Sequence, residues 1–212
     1  MGMFSPIPGS KAADRSVLAF LKQYLKAGNN VTITPTNRAL TIASSGGTSL
    51  VSTKTLSGAS SVSFTGLTLA RGKLVLEGIV PSVTSGVIHL VQFGTGATPT
   101  WQTGSTSNDY YSNYLSAANA TNTQYAQNDT SGMQINQNAT GGFFQGTFEL
   151  LSMDGLSFPS MFGSLTYFPS ITFAWDTGWH MWKTSGTPIT ALRLLTPSGT
   201  YTSGRASLYS YS

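Results

Sequence analysis

The second half of the chain is a run of short apolar segments punctuated by glycine and serine. It closes with Ile189-Thr-Ala-Leu-Arg-Leu-Leu195, a turn, and Arg205-Ala-Ser-Leu-Tyr-Ser-Tyr211. Segments at this spacing, with no helical period between them, predict an all-β sandwich rather than an α/β enzyme. From residue 49 onward the strand candidates are 50–56, 61–67, 73–80, 87–93, 109–115, 133–137, 143–152, 170–175, 179–183, 189–195 and 205–211. Roughly eight to eleven strands suffice for two packed antiparallel sheets. Alternation is clear in Ser61-Val-Ser-Phe-Thr65, where Val62 and Phe64 share one side, and in Lys73-Leu-Val-Leu-Glu77, where Leu74 and Leu76 do.

A chain of 212 residues, 40% of them hydrophobic, can bury a core in one domain, because sandwiches often exceed 200 residues. The surface is unusual: 8% of residues are charged, against about 25% in a typical soluble domain. Polarity comes from Ser, Thr, Asn, Gln and Gly, and such a surface offers little repulsion between copies, as suits a protein held in an assembly. Without cysteine, neither disulfides nor thiolate metal sites are available. No stretch approaches the ~20 apolar residues of a membrane span. Met1–Gly9 lacks the basic region and continuous apolar core of a secretory signal.

Charge is concentrated at the start. Lys11, Arg15, Lys22, Lys26 and Arg38 face only Asp14, whereas the rest of the chain balances six basic against six acidic residues, so the net +4 lies in the first 38 residues. Pro6, Pro8 and Gly9 make residues 1–10 an irregular arm carrying Phe4 and Ile7. Val17, Leu18, Leu21, Tyr24 and Leu25 then recur at helical spacing, predicting a helix over 11–27 that stops at Gly28-Asn-Asn30. A helix of that length is marginal alone and must dock on something. Phe4, Ile7, Arg15, Leu18, Leu21, Lys22 and Leu25 are therefore candidate attachment residues. Val31-Thr-Ile-Thr34 and Ala39-Leu-Thr-Ile-Ala43 read as a small hairpin, and Ser44-Ser-Gly-Gly-Thr48 as a linker. Residues 1–48 form the N-terminal arm, helix and hairpin, and residues 49–212 the sandwich.

Three segments, Leu56-Ser-Gly-Ala-Ser-Ser-Val-Ser-Phe-Thr-Gly-Leu67, Leu74-Val-Leu-Glu-Gly-Ile-Val-Pro81 and Ile88-His-Leu-Val-Gln-Phe93 with Trp101-Gln-Thr-Gly104, carry a resemblance. Together with Gly146-Thr-Phe-Glu-Leu150, Ile189–Leu195 and Ser203-Gly-Arg-Ala-Ser-Leu-Tyr209, the pattern resembles the C-terminal jelly-roll domain of tailed-bacteriophage virion proteins. Gly28-Asn-Asn-Val-Thr-Ile-Thr34 with Leu40-Thr-Ile42 is similar to the short β-repeat preceding such domains. The likeness covers about residues 28–212 and leaves the helix unmatched. It implies a structural protein of the virion (tail fibre, head fibre or capsid decoration), assembled in the host cytoplasm as a homotrimer and bound to other capsid or tail proteins.

The residues point to no catalytic group. His89 and His180 are about 90 residues apart in apolar surroundings and read as structural. Glu77, Glu149, Asp154 and Asp176 are the carboxylates a glycan hydrolase would draw on, since that reaction needs two of them about 5–10 Å apart. Asp154-Gly155 and Asp176-Thr-Gly178, however, read as turns. Asp109 and Asp129 are too isolated for a calcium loop, and no glycine-rich run links a strand to a helix to cradle phosphate. No cofactor, metal, nucleic-acid partner or membrane insertion is expected.

Residues 102–140 form a polar tract read as a long loop or hairpin excursion. Trp101, Tyr110, Tyr111, Tyr114 and Tyr125, with Asn108, Asn113 and Gln124, supply rings for the apolar face of a sugar and amides for its hydroxyls. The same tyrosines equally suit a subunit interface. Trp175, Trp179 and Trp182 read as core or subunit contact. The expectation is a non-enzymatic virion protein whose alternative role is recognition of a host surface glycan.

Overall fold

The structure, a computed structural model, describes residues 31–35, 40–44, 47–83, 88–103, 110–118, 121–129, 131–136, 142–168 and 174–211. The expected arm and helix, with all seven attachment residues, lie outside these. Every regular element among the described residues is a β-strand.

The chain divides into two units between Gly47 and Thr48. In the first, β1 (Val31–Pro35) and β2 (Leu40–Ser44) pair antiparallel with Ile33 opposite Ile42. The second unit contains β3 (Thr48–Thr55), β4 (Ser61–Thr65), β5 (Gly72–Pro81), β6 (Leu90–Thr95), β7 (Thr100–Trp101), β8 (Tyr110–Ala118) and β9 (Thr121–Asp129). It continues with β10 (Met133–Gln134), β11 (Phe144–Leu151), β12 (Ser160–Tyr167), β13 (Ala174–Trp182), β14 (Ala191–Leu195) and β15 (Tyr201–Tyr211). One sheet has the order β10-β6-β14-β4, with β7 paired to β6, and the other has eight strands in the order β3-β15-β5-β11-β12-β13-β8-β9. All pairings are antiparallel.

Alternation decides which side chains are buried. Leu74 and Leu76 on β5, Phe148 and Leu150 on β11, Met161 and Leu165 on β12, and Ala206 and Leu208 on β15 point inward from the large sheet. They join Phe64, Val91, Phe93, Leu192 and Leu194 from the small sheet in one core, as in a β-sandwich. Each of the larger of these side chains contributes roughly 1.5–3 kcal/mol through burial.

The β5–β15 ladder contains a register break at which the inward side chains of β5 change parity. Leu76 is buried, Glu77 and Gly78 are both exposed, and Ile79 is buried again. Two outward residues in succession are a bulge. Gly78 takes φ 55°, and Gly204, between Ser203 and Arg205 where the β15 register shifts, takes φ 123°. Beside the break Arg205 and Glu77 form a two-pronged exposed ion pair at 2.8 and 3.0 Å. It is more than half exposed on the arginine side, so Arg205→Gln is expected to leave the urea midpoint unchanged.

Of the two readings of the tract over 102–140, the hairpin is the one found within it: Thr121–Asp129 forms β9 although Tyr125 and Ala126 are its only apolar residues, because it pairs along the whole of β8. Two elements differ from the sequence reading. Ser160–Tyr167, left unassigned by the pattern, is β12 and lies inside the sheet between β11 and β13. Asp176-Thr-Gly178 is not a turn. It lies in the middle of β13, a single strand over Ala174–Trp182, and Asp176 is buried. Asp154-Gly155 is a turn, with the Asp154 carboxylate accepting from the Leu156 N–H at 3.2 Å.

Candidate binding surface

The aromatic tract divides between the two faces of the large sheet. Tyr110, Ser112, Tyr114 and Ser116 face inward from β8, while Tyr111, Asn113 and Leu115 face outward. Tyr110 is fully buried; its hydroxyl accepts from the Phe93 N–H at 3.1 Å and donates to the Gln102 carbonyl at 2.8 Å, tying β8 to the small sheet. Tyr114 is buried too, accepting from Gln134 Nε2 at 3.1 Å, and half-buried Tyr125 stacks on it at 5.3 Å. Trp101 sits on the other sheet with the Arg193 guanidinium 4.5 Å from its ring centre. Of the five candidate ligand or interface residues, Tyr110 and Tyr114 are thus interior, and Tyr111 is the one on the outer face of the large sheet.

The interior side is a polar seam within the core. Gln134 bridges Tyr114 and the Asn136 carbonyl, Asn136 Oδ1 accepts from the His89 N–H at 2.6 Å, and His89 Nδ1 lies 3.3 Å from the Tyr201 hydroxyl. Farther along, the Tyr167 hydroxyl reaches Asp176 and Ser116, each at 3.4 Å. Gly163 and Gly178, opposite one another, leave room for the neighbouring Phe148 and Tyr114. Both rings lie 6.2 Å from His180. Burial pushes His89 and His180 down to about 3, so both rings are neutral at pH 7, and burial with the Asp176 carboxylate nearby raises the Tyr114 hydroxyl well above its ordinary range. Among the described residues, His89 Nε2 and His180 Nδ1 have no hydrogen-bond partner.

Two of the carboxylates lie on opposite sides of the large sheet. Glu149 lies on the outer face of β11, whereas Asp176 points into the core from β13. Glu77 is held by Arg205, and the hydrogen bond from that guanidinium lowers its pKa. Among the described residues no three His, Cys, Asp or Glu side chains are grouped as a metal site would require.

The outer face of β12, β13, β8 and β9 is composed differently. Its cross-strand rows are Ser160–Met181–Tyr111–Asn128, Phe162–Trp179–Asn113–Ala126, Ser164–Thr177–Leu115–Gln124 and Thr166–Trp175–Ala117–Asn122. None of these residues is charged. Phe162 is 53% exposed and Trp179 39%, although both are large and apolar. Tyr111 meets Trp179 edge-on at 6.0 Å, and Lys183 at the end of β13 lies 5.6 Å over the Tyr111 ring while donating to Asn128 Oδ1 at 2.8 Å. Gln124 donates to Asn113 Oδ1 at 3.3 Å. The β12–β13 half of this face is mostly aromatic and hydroxylic, and the β8–β9 half carries the amides.

Sequence reasoning grouped Trp175, Trp179 and Trp182 together and omitted Phe162. The signal was the strand period. Trp175, Thr177, Trp179 and Met181 have one parity and face outward, while Asp176, His180 and Trp182 have the other and are buried. Reading Asp176-Thr-Gly178 as a turn concealed it.

Comparison with protein-family models, curated proteins and solved structures found no match to the chain.

Proposed function

We propose that this chain is a non-enzymatic structural protein of a bacteriophage virion, a homotrimer anchored to the particle by its N-terminal segment and displaying a jelly-roll sandwich outward. The observation that carries the reading is the strand order. In a jelly roll, successive strands cross between two sheets in a fixed order. Here β4, β6, β10 and β14 fall in the small sheet as β4-β14-β6-β10, and β5, β11, β8 and β9 follow in that order in the large one. The β12–β13 hairpin widens the large sheet between β11 and β8, and β15 with β3 extends its other end.

Assembly is favoured by the edges of the large sheet. β3 has one charged residue, Lys54, and β9 has Asp129 alone, so neither edge is strongly guarded against pairing with another chain. Leu50 and Val51 on β3 are 58% and 43% exposed, as suits a subunit contact. A second reading, a tail appendage that recognises a host surface glycan, is favoured by the uncharged aromatic outer face.

Immunogold labelling of purified particles with an antibody against residues 49–212 tests the assignment. Label over the head makes this a decoration or head fibre, label at the tail makes it a receptor binder, and particles without label overturn the reading. A chain lacking residues 1–27 is expected to remain a soluble folded sandwich and to fail to enter particles; normal incorporation would remove the anchor.

A further inference from the structure

We infer that the outer face of β12, β13, β8 and β9 is a docking platform for an uncharged carbohydrate chain, with Trp179 as the stacking residue, Phe162 and Tyr111 beside it, and Asn113, Gln124 and Asn128 as hydrogen-bonding groups.

Three observations carry this. First, the charge of the face matches its ligand: four cross-strand rows contain no ionised side chain. Charged groups begin at the margins, with Lys183 at one end and Glu149 on the adjoining strand opposite Phe162. An anionic polymer would find one lysine, whereas a neutral one loses no ionic hydration to this face. Second, its chemistry is two-sided. A pyranose ring has an apolar face of C–H groups and a rim of hydroxyls. Trp179 and Phe162, exposed and directly opposite each other in the register, offer apolar ring surface beside Asn113, which follows Trp179 in the same row. Third, its dimensions fit: four strands at ~4.8 Å spacing and about 20 Å of strand length make a patch roughly 20 Å on a side, which suits a short oligosaccharide lying across the strands.

The inference deepens the glycan-recognition reading above and rests on it, but not on where the protein sits in a particle. The experiment therefore uses the free full-length chain. Saturation-transfer NMR is measured with neutral linear oligosaccharides of glucose, mannose, galactose and N-acetylglucosamine. At least one is expected to receive saturation. Trp179→Ala is expected to weaken that binding about tenfold or more, with the urea midpoint reporting that the variant folds. Leu156→Ala, removing a side chain that is 89% exposed on the turn after β11, is expected to change nothing. Binding that survives Trp179→Ala in a folded protein overturns the platform. So does failure of all four sugars, and if Phe162→Ser then dissociates the oligomer in sedimentation, the face is a subunit contact. Virion labelling is read separately, so either proposal can fail alone.

Discussion

Lowering the pH from 7 to 4.5 is expected to reduce the unfolding free energy by about 5 kcal/mol. His89 and His180 are buried, and desolvation drives each down to about 3 from an ordinary 6.5. Between those values the unfolded chain binds a proton at each imidazole while the folded chain does not, so acid favours unfolding. The stabilisation from neutral histidines is complete above pH 6.5 and is lost progressively as pH falls toward 3. At pH 4.5 the loss is about 2.5 kcal/mol per residue. A domain with a total stability of about 5–15 kcal/mol would then be near its unfolding threshold. The groups around the rings make rescue by a partner weak: His180 is bracketed by Phe148 and Tyr114, and His89 by Phe144 and Tyr201. Asp176, four residues before His180 on the same face, is engaged by the Tyr167 hydroxyl. Urea titrations at pH 7, 5.5 and 4.5 measure the effect, and His180→Gln should remove about half the pH dependence. A flat profile would show that neither histidine is held neutral.

Gly204→Ala is expected to destabilise the sandwich by about 4 kcal/mol, combining ~1–3 kcal/mol of backbone strain with a similar cost of overpacking. Its φ of 123° is outside what an L side chain accepts, and a Cβ there would stand 2.6 Å from the Ile79 Cα, on backbone that cannot swing aside. The site is the register break that lets Ile79 return to the core, so the strain cannot be relieved without shifting β5 against β15. Gly186→Ala is the comparison: φ is 83° but nothing lies within 4 Å of the added carbon, and a loss of only about 1 kcal/mol is expected. Equal losses in the two variants, read from urea midpoints, would show that the close approach to Ile79 has no energetic consequence.

Where one set of alternate residues was apolar and the other polar, the strands were legible from residues alone. Ser61–Thr65, Gly72–Pro81 and Ala191–Leu195 fall close to their expected places. β9 was hidden because both its faces are polar, so its strand character comes from the ladder it makes with β8. β12 was hidden because Gly163 interrupts it; that glycine is needed where the Phe148 ring and backbone approach. β13 was divided by an Asp-Thr-Gly sequence that in isolation favours a turn. In the sheet, the carboxylate of Asp176 is met by Tyr167 and the glycine by Tyr114, so burial overrides the local preference.

The candidate surface was legible only as composition. Adjacent tyrosines at 110 and 111 necessarily face opposite ways on a strand, yet nothing local says which is covered. Low charge, a run of β-strands from residue 49 onward, and inward and outward residues separated by a period of two follow from the amino-acid pattern alone. Which set lies inside on β8 and β13 was decided by tertiary structure. On β13 the outward set Trp175, Thr177, Trp179 and Met181 is more apolar than the inward set Ala174, Asp176, Gly178, His180 and Trp182, so local hydrophobicity does not pick the covered face. The difference arises when the small sheet closes over one face, placing Met133 and Gln134 of β10 among the inward residues of the large sheet and leaving Trp179 and Phe162 on the other.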